Sequence, residues 1–226
     1  MPLSKETHTS YNNLNYVIHQ SNIQTRSLAD YCTGSLTNCS LPTTPADFPS
    51  GVYTVDNNNL TLTSASGTYT FPSGRNYTIL VNGILTINTK VVVPNGSFVL
   101  FSSSDNINIA NTVGETIPTI CNLATHAGCS IEGYYSTDKS FSVLGKGANG
   151  AAVDCSTGTE DLQLNVAGSI VVNADTSNNR GFYYNRDMCA DDLRCPVFTI
   201  TERPDFWLNA PTFMMFPRRL WQEVAP

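Results

Sequence analysis

Acidic side chains form two short clusters, and these are where chemistry would have to occur in this chain. Paired carboxylates supply the acid and base of glycoside hydrolysis, and groups of them bind calcium. Neither cluster has the D-x-D-x-D-G spacing of a calcium loop, and the chain has no G-x-S-x-G nucleophile motif. We therefore predict no catalytic residue and no metal site, and we keep calcium binding by the second cluster as the alternative. The clusters consist of Asp154, Glu160 and Asp161, and of Asp187, Asp191 and Asp192.

Two further motifs lack the context that their chemistry needs. The histidines His8, His19 and His126 are scattered, whereas zinc sites use closely spaced pairs. Residues 145–150 read GKGANG, which matches the dinucleotide fingerprint, but the following AAVDCSTG cannot continue as the helix that would hold a pyrophosphate. We expect a glycine-rich loop there, and no cofactor.

The seven cysteines indicate an oxidising compartment, because six of them form short, closable spacings that differ from metal-ligand spacings. We predict three local disulfides. Cys155 is then left over, and the alternatives are that it takes one of the other partners or pairs with another chain. The predicted pairs are Cys32 with Cys39, Cys121 with Cys129, and Cys189 with Cys195.

The composition predicts an all-β protein. Only 13% of the residues are charged, and Asn, Ser and Thr supply the polar balance, which suits strands and turns better than helices. The net charge of −6 argues against nucleic-acid binding. No run of apolar residues approaches the ~18 of a spanning helix, so we expect no membrane insertion.

Short segments of alternating apolar and polar residues follow one another from Gly51 onward, separated by Gly, Asn, Pro and Ser. We expect a polar N-terminal segment or first rungs over 1–50, with a short helical turn at 27–31. A β domain over 51–198 and a capping segment over 199–226 follow. The alternating segments include GVYTV, NLTLT, GTYTF, YTILV, ILTIN, KVVVP, SFVLF and INIAN.

An internal repeat favours a right-handed parallel β-helix. Residues 79–88, ILVNGILTIN, match residues 164–173, LNVAGSIVVN, at an offset of 85 residues, and 91–100 form a looser copy. Repeated strand–Gly–strand units are typical of solenoids, whose rungs bury apolar side chains against one another. The alternative is a β-sandwich or jelly roll. The glycine within the repeat is expected to permit a bend or a close backbone approach.

Aromatic residues raise two further questions. The Pro- and aromatic-rich C-terminus is expected to form an extended cap that packs along or over the β-helix, and the alternative is a docking surface for another domain or subunit. The tyrosines are expected to be ordinary strand aromatics, and the alternative is a sugar-stacking face. These tyrosines are Tyr53, Tyr69, Tyr77, Tyr134, Tyr135, Tyr183 and Tyr184.

Three segments, LQLNVAGSIVVNA, GFYYNRDM and ITERPDFWLNAPTFMMFPRRLWQEVAP, occur in an order that resembles the C-terminal module of large hypothetical cell-surface proteins of candidate-phyla (Patescibacteria-type) bacteria. The resemblance covers residues 75–226, and the Cys189 and Cys195 pair departs from it. It implies an extracellular β-helical region of an envelope-anchored chain without enzymatic activity. We expect ion pairs of Arg186 with Asp187 and of Arg203 with Asp205 to anchor the cap, together with Trp207 and Trp221.

The sequence therefore predicts a non-catalytic structural or adhesive module of the cell surface. The expected partner is a polysaccharide or another cell-surface protein. Two alternatives are kept: a polysaccharide-active or polysaccharide-binding β-helix, and a self-assembling subunit of a surface filament or layer, for which the partner is a further copy of the chain.

Overall fold

The computed structural model describes residues 10–116, 119–146, 160–173, 181–189 and 196–215, and this part of the chain is mostly sheet with few helices. The helices are α1 (Tyr11–Gln20), α2 (Pro204–Asn209) and α3 (Thr212–Met215), with 3-10 turns at Leu28–Tyr31 and Leu36–Asn38. The first sheet contains β1 (Thr25–Ser27), β2 (Gly51–Val55), β4 (Thr68–Thr70), β5 (Asn76–Val81), β7 (Lys90–Val92), β8 (Phe98–Ser103), β10 (Ile131–Thr137), β12 (Leu164–Val172) and β14 (Phe198–Thr201). The second contains β3 (Leu60–Leu62), β6 (Leu85–Ile87), β9 (Ile107–Ile109), β11 (Phe141–Val143) and β13 (Phe182–Tyr184).

Every pair of named strands is parallel. The main path of the first sheet runs β1-β2-β5-β8-β10-β12-β14, and the second sheet runs β13-β11-β9-β6-β3. The chain thus alternates between the sheets, and each pass adds one strand beside the strand of the preceding pass. The expectation of a β-rich chain is confirmed. The parallel pairing does not fit a β-sandwich or jelly roll, which are built from antiparallel strands.

The predicted repeat is wrong in its register. It matched Val81 with Val166, but the pairing across β5, β8, β10 and β12 places Val81 in line with Val172, 91 residues away. Leu85 and Ile87, taken as the second half of the strand unit, lie in the other sheet. Alternating Val and Ile residues match at several offsets, because a strand pattern repeats every two residues. Similarity between two such strands therefore does not determine their register.

In-register columns of apolar side chains form the core. In the first sheet Tyr53, Ile79, Phe101 and Tyr135 are successive partners and all are buried. The rings of Phe101 and Tyr135 stack with centroids 5.4 Å apart. Burying such side chains stabilises the fold by roughly 1.5–3 kcal/mol each. A matching column in the second sheet consists of Leu60, Leu85, Ile107 and Phe141, all fully buried.

The N-terminal region contains a helix that the sequence reading missed and a turn that it predicted. Ser10 caps α1 by accepting a hydrogen bond from the Asn13 backbone N–H at 3.3 Å. Tyr11, Leu14 and Ile18 share one helix face and are buried. The Tyr11 backbone N–H also donates to the Asp138 carboxylate, which follows β10, so α1 lies beside the stacked passes. The expected turn at 27–31 is present at Leu28–Tyr31.

Two of the predicted disulfides are confirmed, Cys32–Cys39 and Cys121–Cys129. Cys189 is disulfide-bonded as well. Its predicted partner Cys195, and the unassigned Cys155, lie outside the described residues.

The close backbone approach expected at the repeat glycine is present at Gly168. Gly168 on β12 pairs in register with Gly133 on β10, and their φ angles are +142° and +132°. A Cβ atom on Gly168 would lie 2.0 Å from the Gly133 carbonyl oxygen. Both the backbone conformation and the space therefore require glycine at this position.

We expect Gly168→Ala to destabilise the fold by about 3 kcal/mol or more, because the added methyl meets backbone that cannot move aside. Gly181→Ala is the matched control, since a Cβ there meets nothing within 4 Å. Urea unfolding followed by circular dichroism measures the difference. Equal midpoints for the two variants would contradict the close-approach argument.

Candidate functional site

The C-terminal segment, residues 202–215, lies across the outer face of the first sheet. Its anchor is Phe206, whose buried ring packs against Phe98 and Tyr134 at centroid distances of 6.0 and 5.6 Å. Farther along, Phe213 lines a shallow hollow together with Val52. The segment therefore returns from β14 toward β2 along the side of the stacked strands.

A fully buried carboxylate fixes the beginning of this segment. Glu132 on β10 accepts hydrogen bonds from Arg203 Nη1 at 3.0 Å and from the Val93 backbone N–H at 2.8 Å. His126 Nδ1 lies 2.8 and 3.0 Å from the two carboxylate oxygens. Both oxygens of Glu132 therefore have partners inside the protein, as a buried charge requires.

Arg203 joins this carboxylate to a second one. Its Nε and Nη2 atoms donate to Asp205 at 2.8 and 2.7 Å, and Nη2 also lies 3.2 Å from Asn95 Oδ1. The guanidinium carbon lies 4.3 Å from the centre of the Phe206 ring. The predicted Arg203–Asp205 ion pair is confirmed by this geometry. Arg203 is consequently held on every side and has no free donor direction toward solvent.

Opposing effects set the pKa values of this ion pair. Burial disfavours the charged guanidinium, but the hydrogen bond and charge of Asp205, followed by those of Glu132, raise the pKa of Arg203 above its ordinary value. The hydrogen bond from Arg203 lowers the pKa of Asp205 against the opposing effect of burial. Both groups are therefore charged at neutral pH.

Arg186 does not form the expected ion pair with Asp187. Its guanidinium instead donates to four backbone carbonyls, those of Ala110, Val113, Leu144 and Leu162, at 2.7 to 3.0 Å. Burial lowers the pKa of Arg186, while Tyr184 and Asp161 act in the opposite direction. The side chain thus ties together the loops that follow β9 and β11 and precede β12, and it does not touch the C-terminal segment.

The predicted acidic clusters are brought together only in part. Asp161 and Asp187 are neighbours: one Asp161 oxygen accepts from the Asp187 backbone N–H at 3.0 Å, and the other accepts from the Lys146 backbone N–H at 2.7 Å. Asp187 accepts from the Cys189 backbone N–H at 2.8 Å. Both carboxylates thus organise loops. Asp154, Asp191 and Asp192 lie outside the described residues.

Within the described ranges no group of three or more His, Cys, Asp or Glu side chains could hold a metal ion. In the same part of the chain, no helix has the length and apolar character needed to cross a membrane.

Beside the anchored segment lies an open cleft of about 240 Å³. Tyr134 and Trp207 line it together and contact each other edge to face, with ring centroids 6.0 Å apart and planes at 70°. Its floor is β12, and its far wall is the end of β14. The remaining lining residues are Gly168, Ser169, Ile170, Ile200, Glu202, Arg203 and Pro204.

Trp207 does not anchor the cap by burial as predicted, since it is 71% exposed. Phe206 takes that place, because only one of two adjacent residues on α2 can face the sheet. Trp221 lies outside the described residues. The sequence reading missed Glu132 and His126. A carboxylate within the strand-like run IEGYYST was the available signal, because such a residue needs a buried partner.

Comparisons of this chain with protein-family models, with curated proteins and with solved structures find no match.

We expect Arg203→Ala to lower the unfolding free energy by about 3–5 kcal/mol, because it leaves the buried Glu132 carboxylate without its cation. Lys139→Ala removes the more exposed pair with Asp105 and should cost no more than about 1 kcal/mol. Chemical denaturation of both variants measures the difference. In the Arg203→Ala background, a further Glu132→Gln change should recover part of the loss, and no recovery would contradict the charge argument.

The Asp205 interaction should make stability pH-dependent in one direction. A carboxylate whose folded pKa is lowered stabilises the fold above its unfolded pKa, and that contribution is lost as the pH falls. The unfolded value is 3.8, so the loss begins near there and continues below it. We expect the stability difference between wild type and Asp205→Asn to shrink on acidification, measured by thermal unfolding. A stability difference for Asp205→Asn that stays constant across the acidic range would contradict the assignment.

Proposed function

We propose that this chain is a non-catalytic structural or adhesive module of a cell-surface protein, built as a right-handed parallel β-helix. The observation that carries the proposal is the use of the buried acidic groups. The buried carboxylates of Glu132 and Asp161 direct both of their oxygens to backbone N–H groups or to Arg203 and His126, and the partly buried Asp187 accepts through one oxygen from the Cys189 backbone N–H. A catalytic acid needs an oxygen that can reach substrate.

The strand order supports the β-helix. Successive passes pair in parallel and in register in both sheets, and β7 pairs with both β4 and β10, so the first sheet curls. This is the arrangement expected of a solenoid, in which each pass contacts its neighbours. The sequence resemblance to C-terminal modules of candidate-phyla surface proteins supports the same proposal, because it implies an extracellular β-helical region of an envelope-anchored chain.

An extracellular location is supported by the disulfides. Cys32–Cys39 and Cys121–Cys129 each close a short loop, and such bonds persist in oxidising compartments. Each is worth roughly 2–3 kcal/mol by the loop-closure relation. They therefore suit a module that must survive outside the cell.

Self-assembly is a second candidate, favoured by the apolar side chains on the last strand of each sheet. Phe182 on β13 and Ile200 on β14 are exposed, whereas their in-register neighbours Phe141 and Val166 are fully buried. A mass that rises with concentration in light scattering would favour this candidate over a monomeric module.

We expect no polysaccharide cleavage by the purified protein. The measurement is release of reducing ends from laminarin, dextran, mannan and polygalacturonate, with and without calcium, because calcium is the remaining metal candidate. Asp187→Asn and Glu202→Gln are the matched variants, and wild type and variants should be equally inactive. Reducing-end release by wild type that disappears in a folded variant would show that the module is an enzyme.

A further inference from the structure

We propose that the cleft beside the contacting rings of Tyr134 and Trp207 binds a neutral polysaccharide through its sugar rings. The inference rests on the adhesive form of the proposed function and names the ligand class of that adhesion. It is carried by the exposed indole, by the polar groups around it and by the pairing of the strand beneath it.

The indole is exposed but its backbone is fixed. Phe206, the preceding residue, is fully buried, and Arg203 binds the sheet through Glu132 and the Val93 carbonyl. Trp207 therefore projects from a helix that is held on one side. The planes of the Trp207 and Tyr134 rings make an angle of 70°. Tyrosine and tryptophan are enriched at interfaces, and ligand sites are lined mostly by apolar and aromatic side chains with a few polar groups. The apolar C–H face of a pyranose is a partner of matching shape for such a ring.

Polar groups that lack protein partners surround the two rings. In the part of the chain that the structure describes, the Tyr134 hydroxyl, the Ser169 hydroxyl and the Glu202 carboxylate make no hydrogen bond. Burial and the nearby Glu202 and Asp205 carboxylates raise the pKa of Tyr134, so its hydroxyl keeps its proton and is a donor. Donors and acceptors beside an aromatic wall suit a ligand rich in hydroxyl groups.

The charge of the cleft selects a neutral ligand. Glu202 is exposed, whereas Arg203, the only cation among the described residues that line the cleft, has a side chain that is 1% exposed and is engaged by Glu132 and Asp205. The chain as a whole carries a net charge of −6. A uronic acid or another anionic sugar would therefore meet a carboxylate with no available counter-charge.

The sheet pairing disfavours an extended peptide as the occupant. Peptides that bind sheets add a strand to a free edge. The floor of the cleft is β12, which is already paired with β10 on one side and β14 on the other. Recognition at the floor of the cleft must therefore come from side chains. At about 240 Å³ the cleft lies below the ~300–1,000 Å³ of enclosing ligand pockets, so it fits part of a chain that passes over the surface.

Affinity gel electrophoresis tests the inference with laminarin, dextran, mannan and polygalacturonate as probes. We expect retardation of the intact chain by at least one neutral polysaccharide and none by polygalacturonate. Trp207→Ala should weaken binding at least about tenfold, as expected for a central aromatic contact. Leu208→Ala is the control, because Leu208 is the adjacent residue, is 85% exposed and does not line the cleft, so binding should change less than about twofold.

Circular dichroism of each variant checks that it is folded, and Trp207→Phe, which keeps an aromatic ring, should retain most of the affinity. Absence of retardation by every neutral probe, or preference for polygalacturonate, would overturn the inference. Equal losses in Trp207→Ala and Leu208→Ala would also overturn it, by indicating a general apolar surface. Binding accompanied by reducing-end release would leave the site standing and overturn the non-catalytic function. If the protein neither binds nor cleaves any probe, the inference is overturned, and the structural form of the proposed function stands.

Discussion

In-register stacking of parallel strands is the constraint on which the rest of this structure depends. A single pass contributes strands that are too short to bury anything alone, and β6, β9 and β11 contain three residues each. Their apolar side chains become buried only when the same column is filled in the passes on both sides. The pairing of Gly133 with Gly168 shows how strict the register is, because a shift by one residue would bring a side chain into a space that holds none.

Within this apolar stack, the buried carboxylate of Glu132 needs a cation from elsewhere in the chain. Its carboxylate lies on β10, and the cation that neutralises it is Arg203, 71 residues farther along. A buried charge without its partner would destabilise the fold, so the C-terminal segment is needed by the first sheet as well as supported by it. The same interaction fixes the start of α2. It thereby determines that Phe206 is buried against the sheet and that Trp207 is exposed.

Local features of the sequence predicted local features of the structure. Strand alternation, the turn at Leu28–Tyr31 and the disulfides Cys32–Cys39 and Cys121–Cys129 depend on residues close together in the chain. Arg203 and Asp205, two positions apart, were also predicted correctly to pair.

Nonlocal features escaped prediction, because they depend on register and loop length. The sequence repeat predicted an offset of 85 residues between β5 and β12, but the strand register gives 91. With the wrong offset, residues are assigned to columns that they do not share. Arg186 was assigned its neighbour Asp187, although its carbonyl partners come from loops 24 to 76 residues away. The role of Glu132 was not predicted, because the residues near it in sequence do not indicate that Arg203 pairs with it.

The two ends of the stack differ in how far their apolar side chains are covered. At the β1 end, the 3-10 turn buries Leu28, and Cys39 is buried while bridging to Leu62. At the β14 end, Ile200 is half exposed, although Val166 beneath it is fully buried. Unpaired strand edges with apolar side chains invite further pairing. The β14 end therefore offers contact along the stacking direction of the strands, whereas the Trp207 cleft on the side offers contact through side chains, and Ile200 belongs to both surfaces.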